Sequence, residues 1–334
     1  MEVTVRADGG PEIGYGHLVR TGALAAELVA RGHAVTFATA TATAAREICP
    51  GIAVLELPDR HRPGPFVDWV ATHEPDVVFT DAYPVGTAYQ RAVRDHAPLV
   101  VWQDDARHAV CADAFINGNL YAQDLAYKFR GAEPRTYLGM DYVLLREAIR
   151  ERAARQPPWR ARAERALVSM GGSDVAEVTP DVVRAFDGLS IEVDVVVGPG
   201  FSASQETAVR DAARTAAGDV RVHCDPDAMA ELLFEADLAV STASTTTYEL
   251  LALGTPIVSL PVADNQEPIA EALRRRDVAL VLDRGAETDQ CRRAVERYLT
   301  DSDLRREYRE RGRSLVDGRG VERTADVIRS AADA

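Results

Sequence analysis

The chain has 334 residues, 46% hydrophobic and 27% charged, the make-up of a soluble globular enzyme with length enough for two domains. Its formal net charge of −14 argues against a general nucleic-acid or anionic-membrane binder. Met1-Glu2-Val3-Thr4 has neither a basic start nor an apolar stretch behind it, and no apolar run reaches membrane-spanning length, so the expected location is the cytoplasm with no membrane partner.

Along the chain, Val3-Thr4-Val5 reads as a first strand and the apolar pattern Leu18, Ala23, Leu24, Ala26, Leu28, Val29 as a first helix. Between them runs Arg6-Ala-Asp-Gly-Gly-Pro-Glu-Ile-Gly-Tyr-Gly-His17-Leu-Val-Arg20. Gly14 and Gly16 permit close backbone approach to a ligand, and a helix start favours negative charge. A dinucleotide fingerprint needs a third glycine, but Val19 follows Gly16-His17-Leu18, which argues against NAD. The bland reading is a tight strand-to-helix turn. The functional one rests on Asp8, His17 and Arg20 at the same turn, with His17 able to exchange protons near neutral pH.

Strand-like runs then alternate with helical patterns: 34–37, 52–55, 77–79 and 99–102, with an amphipathic stretch around 88–93. Polar groups follow these runs at Asp81 and Tyr83, Asp104 and Asp105, and Asn117, Asn119 and Tyr121. The carboxylates have no metal-ligand spacing that stands out. The four scattered cysteines, Cys49, Cys111, Cys224 and Cys291, read as buried free thiols in a reducing compartment. Between Arg146 and Arg165 charges crowd around Gln156-Pro157-Pro158-Trp159, which reads as a helix end and a linker. A second strand series follows at 166–170, 193–197, 220–222, 238–240, 257–260 and 278–282, and residues 301–334 read as helical. Two α/β domains, 1–155 and 156–334, are expected.

In the second series Ser169-Met170-Gly171-Gly172-Ser173-Asp174 follows a strand. It is either a capped helix start or a diphosphate-facing loop. Ser241-Thr242-Ala243-Ser244-Thr245-Thr246-Thr247-Tyr248-Glu249 opens a helix that should stop at Gly254. There Ser244 and Thr245 suit capping or phosphate oxygens, and Glu249 suits the helix dipole or ribose hydroxyls. Asn265 and Gln266 follow another strand, either as loop caps or at the edge where open α/β sheets bind ligands.

These motifs together resemble the PseG/SpsG group, UDP-sugar hydrolases of pseudaminic acid biosynthesis and related spore-coat polysaccharide proteins. The resemblance runs through Arg6-Ala7-Asp8, Ile13-Gly14-Tyr15-Gly16-His17 with Arg20, Asp81-Ala82-Tyr83, Asp104-Asp105, Asn117 to Tyr121, Leu138 to Glu147, Met170 to Asp174, Ser244 to Glu249 and Asn265-Gln266. It implies a GT-B fold, α/β, with two Rossmann-like doubly wound domains facing across a cleft. It implies a metal-independent, cofactor-free hydrolase that releases UDP from UDP-2,4-diacetamido-2,4,6-trideoxy-β-L-altrose or a related UDP-sugar. Water would attack the anomeric carbon and invert it, with His17 as general base. The substrate-binding set would be Asp8, Gly14, Gly16, Arg20, Asp81, Tyr83, Asn119, Gly171, Gly172, Ser244, Thr245, Glu249, Asn265 and Gln266, with Glu249 on the ribose. Ala82 stands where the group's pattern suggests a histidine, so a sugar contact differs. A GT-B glycosyltransferase with another acceptor is the alternative, then a non-catalytic nucleotide-sugar binder. A monomer or weak oligomer is expected.

Overall fold

The computed structural model describes residues 1–10 and 13–333. Pro11 and Glu12 of the first loop, and Ala334 at the end of the expected second domain, lie outside the described residues. Contacts divide the chain into unit 1, Met1–Arg146 with Arg319–Ala334, and unit 2, Glu147–Gly318.

Unit 1 opens with β1 (Glu2–Ala7), α1 (Gly16–Ala30), β2 (Ala34–Thr39), α2 (Ala42–Ile48), β3 (Ala53–Glu56), α3 (Gly64–His73), β4 (Val77–Asp81), α4 (Thr87–Arg94), β5 (Leu99–Trp102), β6 (Ala114–Asn117) and β7 (Arg135–Leu138). All seven strands are parallel, in the order β3-β2-β1-β4-β5-β6-β7. Unit 2 continues with α5 (Glu147–Ala153), β8 (Arg165–Ser169), α6 (Thr179–Arg184), β9 (Glu192–Val197), α7 (Ala203–Thr215), β10 (Val220–Cys224), α8 (Met229–Glu235), β11 (Leu238–Ser241), α9 (Thr245–Leu253), β12 (Ile257–Ser259), α10 (Glu267–Arg276), β13 (Leu280–Val281), α11 (Thr288–Thr300) and α12 (Ser302–Leu315). Its six parallel strands run β10-β9-β8-β11-β12-β13. The chain ends in α13 (Gly320–Ala332).

The runs of Val, Ile, Leu and Phe explain the parallel sheets. Val77, Val78 and Phe79 are fully buried, as strands covered on both faces must be. Along α1, Leu18, Leu24, Ala25 and Leu28 face the unit 1 core and Val29 faces out. In each sheet the strand order reverses beside the first strand, between β1 and β4 and between β8 and β11. Such switch points open a crevice at the carboxyl ends of the strands.

Two expectations from sequence are corrected. The boundary falls at Arg146/Glu147 rather than at 155, because 147–153 forms a helix belonging to unit 2. The last helix belongs to unit 1 and not to the second domain. Val321, Ala325 and Ile328 recur on one face of α13 and are buried in the same core as Leu24 and Leu28 of α1.

Candidate functional site

At the switch point of unit 1, Gly14 at φ +81° accepts a hydrogen bond from Gly10 N–H at 3.0 Å and closes the first loop. That positive φ accounts for a glycine there by conformation. Gly16 opens α1, so His17 and Arg20 stand on its first turn. Three residues apart, they project on the same side. β4 pairs with β1 so that Asp81 lies opposite Ala7, which brings the last residue of β4 to that turn.

His17 Nδ1 lies 2.8 Å from Asp81 Oδ1. Arg20 donates to the same carboxylate through Nε to Oδ2 at 2.6 Å and Nη2 to Oδ1 at 2.6 Å. The other edge of the guanidinium meets Asp104, beyond the end of β5, with Nη1 to Oδ1 at 3.0 Å and Nη2 to Oδ2 at 2.9 Å. Arg20 Nη2 is also 2.9 Å from His17 Nδ1. Its two protons serve Asp81 and Asp104, and two donors cannot bond to each other. Nδ1 therefore carries the proton that Asp81 accepts, and the lone pair of a neutral His17 is on Nε2.

Around this core Asp104 accepts from Trp102 Nε1 at 2.9 Å, Asn119 Nδ2 at 2.8 Å and Tyr83 Oη at 3.3 Å. The Tyr83 ring meets the His17 ring edge-on, centroids 4.6 Å apart, and Arg20 lies over Trp102 at 5.0 Å. Burial raises the Asp81 and Asp104 pKa values, but Arg20 and His17 outweigh it and hold both below the usual carboxylate range. Burial works against the Arg20 charge, and the two carboxylates beside it still raise it well above its ordinary value. Burial and then Asp104 push the Tyr83 hydroxyl up.

The structure thus joins His17, Arg20, Asp81, Tyr83 and Asn119, and Asp104 is the hub that joins them. The sequence offered Asp104 as a strand-end carboxylate and within the Asp104-Asp105 match, but not in the substrate-binding set. Its signal was position, one strand over from Asp81 at the same sheet edge. Asp8 belongs to a different set: it pairs with Arg6 at 2.6 Å and accepts from Thr39 Oγ1 at 3.1 Å and Ala40 N–H at 2.7 Å, tying β1 to β2.

In unit 2 the candidates gather at the corresponding switch point. Gly171 follows β8 with φ +88°, and a Cβ there would stand 3.8 Å from Thr242 Oγ1, so this turn touches the loop after β11. Gly172 O accepts from Gly200 N–H at 2.8 Å. Ser244 is the N-cap of α9. Its N–H reaches Thr247 Oγ1 at 3.3 Å and its Oγ accepts from Thr242 Oγ1 at 3.2 Å. Thr245 and Thr246 occupy the first helical positions, where N–H groups have no intrahelical partner. Glu249 is buried on the second turn, and Gly254, left-handed, ends the helix.

Two motif members do structural work. Asp174 accepts from Val178 N–H at 3.1 Å, Thr179 N–H at 2.8 Å and Thr179 Oγ1 at 2.6 Å, which caps α6. Gln266 Oε1 accepts from Val262 N–H at 2.9 Å within its own loop, and Asn265 is exposed. Among the described residues no group of three or more His, Cys, Asp or Glu side chains could hold a metal ion. No helix among them is long and apolar enough to cross a membrane.

No family model matches the chain. The spore coat polysaccharide biosynthesis protein SpsG of Bacillus subtilis (strain 168) is 25% identical over 336 residues, spanning 98% of each chain. MurG of Acinetobacter baumannii superposes with a TM-score of 0.69 at 15% identity, covering 98% of this chain and 99% of that one. The glycosyltransferase VinC, in complex with dTDP, superposes with a TM-score of 0.66 at 16% identity over the full length of both. The chain is thus similar along nearly its whole length to SpsG, and it has the GT-B fold. The two doubly wound sheets are the two halves of that fold, and each half has its polar cluster at its own switch point.

Proposed function

We propose that this protein is a nucleotide-sugar hydrolase that releases UDP from UDP-2,4-diacetamido-2,4,6-trideoxy-β-L-altrose or a related UDP-sugar. The observation that carries the reading is the His17–Asp81 pair, braced by Arg20, which leaves Nε2 as the basic atom. In the proposed step a water oxygen attacks the anomeric carbon while Nε2 takes its proton. The C1–O bond breaks, its electron pair goes to the β-phosphate oxygen, and the sugar is inverted. Asp81, held ionised, stabilises the imidazolium formed. A positioned base of this kind is worth about 10²–10⁴-fold in rate. In unit 2, the Gly171-Gly172 turn and the first N–H groups of α9 would receive the diphosphate, and Glu249 the ribose hydroxyls. VinC, which holds dTDP on the same fold, supports a nucleoside diphosphate as the ligand class.

A second reading is favoured by the solved neighbours, since VinC is a glycosyltransferase: the same base could activate an acceptor hydroxyl in place of water. One experiment separates the two. UDP release is measured on a panel of UDP-sugars with EDTA present and no acceptor added. Steady turnover supports the hydrolase, and release that depends wholly on an added acceptor refutes it. If His17→Ala turns over at the wild-type rate, the base is misassigned under either reading.

A further inference from the structure

We propose that unit 2 carries a second anion site, formed by α12 and the segment before β8, that binds a soluble diphosphate or longer polyphosphate. Three guanidiniums surround the ring of Trp159: Arg305 and Arg306 at 5.1 Å and Arg309 at 5.4 Å from its centroid. Arg305, Arg309 and Arg313 stand four residues apart and so share one face of α12. Their hydrogen bonds go to main-chain carbonyls. Arg305 Nη2 reaches Arg160 O at 3.1 Å and Ala161 O at 2.6 Å, and Arg309 reaches the carbonyls of Pro157 and Pro158. Arg313 Nη2 reaches Ala153 O at 2.9 Å and Arg155 O at 3.2 Å.

Carbonyl groups aim the guanidiniums but do not neutralise them. The nearby carboxylates are engaged elsewhere, Glu235 and Asp237 by Arg160, and Asp277 and Glu307 by Arg311. Arg305 Nε and Nη1 and Arg313 Nη1 are buried with no hydrogen-bond partner. Burial pushes Arg305, Arg309 and Arg313 below the usual arginine range, for Arg309 with the Arg313 charge added, and the attraction of Asp237 and Glu310 does not make up for it, the reverse of Arg20. This concentration of positive charge stands in a chain of net charge −14.

A cavity of about 460 Å³ opens beside it, lined by Gln156, Trp159, Arg306, Arg309, Glu310 and Arg313. That is within the size range of small-molecule sites. Three guanidiniums against the single carboxylate of Glu310 call for an anion of more than one charge. Guanidinium forks match phosphate oxygens, and the crowded Trp159 ring holds cations rather than stacking a base. None of these residues belongs to the nucleotide loops of unit 2, so the site is separate from the proposed UDP contacts.

Arg306 is exposed, and among the described residues its side chain lies over the Trp159 ring with no hydrogen bond or ion pair, so Arg306→Ala should leave the fold intact. Inorganic pyrophosphate is titrated into wild type and Arg306→Ala by calorimetry with excess UDP present, and Trp159→Phe identifies any fluorescence change as coming from that ring. The expected result is pyrophosphate binding that Arg306→Ala weakens about tenfold, as loss of a charge-assisted contact should, with UDP-sugar turnover unchanged. Coincident isotherms, or no binding to wild type at millimolar pyrophosphate, would overturn the proposal. So would sedimentation with phosphatidic acid vesicles that requires Arg306 while free pyrophosphate fails to bind, since the anion would then be a lipid headgroup.

Discussion

Replacing Asp81 by Asn exchanges one carboxylate oxygen for an NH₂ and tests whether His17 works alone or as a held pair. Asp81 now accepts from His17 Nδ1 at 2.8 Å and from Arg20 Nε and Nη2 at 2.6 Å each. An Asn side chain keeps one oxygen. If that oxygen faces His17, the new NH₂ opposes Arg20 Nε, donor against donor. If it faces Arg20 Nε, the NH₂ donates to Nδ1 and moves the imidazole proton to Nε2, the atom that must be basic. Breaking a buried ion pair costs about 3–5 kcal/mol, and because Asp104 still holds Arg20 the loss should be about 3 kcal/mol. Globular domains have about 5–15 kcal/mol in hand, so the variant should stay folded. Turnover should fall about 10²–10⁴-fold, the range of a positioned base. The assay is steady-state UDP release by wild type, Asp81→Asn, His17→Ala and the double variant, with denaturant unfolding to fix the folded fraction. The double variant should be no slower than His17→Ala, because groups that act as one unit are not additive. The reasoning fails if Asp81→Asn stays within about threefold of wild type once folded protein is counted, or if the double loss equals the product of the single losses.

Glu249→Gln should raise KM for the UDP-sugar about tenfold with little change in kcat, because a ground-state ribose contact would be weakened; a fall in kcat alone would remove Glu249 from the ribose. Asp81 and Asp104 have depressed pKa values in the fold, so the stability they supply is present above the unfolded carboxylate value near about 3.9 and is lost as pH falls through the folded values. Urea midpoints of wild type and Asp104→Asn should accordingly stay apart from neutral pH down to about 4 and converge only below it, whereas parallel curves there would deny Asp104 its charge. Burial pushes Cys49 up to about 11 and Cys291 up to about 12 and raises Cys224 too, but of the four thiols only Cys224 is exposed to a reagent. The folded protein should therefore give one fast-reacting thiol with an aromatic disulfide reagent, and none in Cys224→Ser.

The strands were legible because a strand buried on both faces is written as a continuous apolar run: Leu99 to Trp102 begins and ends where the run does. β6 and β7 were not: the apolar part of Ala114-Phe115-Ile116-Asn117 is only three residues long, and Arg135-Thr136-Tyr137-Leu138 is a half-exposed edge strand without such a run. The return of α13 to unit 1 is also invisible locally, because its apolar face would suit either sheet and only packing against α1 decides. In the site, His17 and Arg20 could be read from one helical turn. Their joining to Asp81 spans 64 residues and depends on the β1–β4 register, and the bridging role of Asp104 depends on one more strand. Asp174 and Gln266 show the converse. Polar residues in a ligand-like motif satisfied backbone groups nearby, an alternative that spacing alone leaves open.

Both units share the strand order around their switch points, unit 1 adding a seventh strand at one edge, yet the switch points differ in charge, and this bears on where a diphosphate would go. In unit 1, Asp81 and Asp104 share the single guanidinium of Arg20, so the cluster is net negative while His17 is neutral. Asp8 adds nothing to that balance because Arg6 pairs with it. A diphosphate placed there would meet like charge in a buried setting, where Coulomb interactions are several-fold stronger than in water. In unit 2 the loop after β11 is Thr242, Ala243 and Ser244, between Ser241 at the strand end and Thr245 at the N-terminus of α9. Hydroxyls and free N–H groups are neutral donors at the positive end of a helix dipole, an arrangement suited to an anion without a metal. The glycines of the first loop therefore need not cradle phosphate. Gly14 shapes the turn that sets His17 on its helix, within a cluster whose net negative charge disfavours a diphosphate.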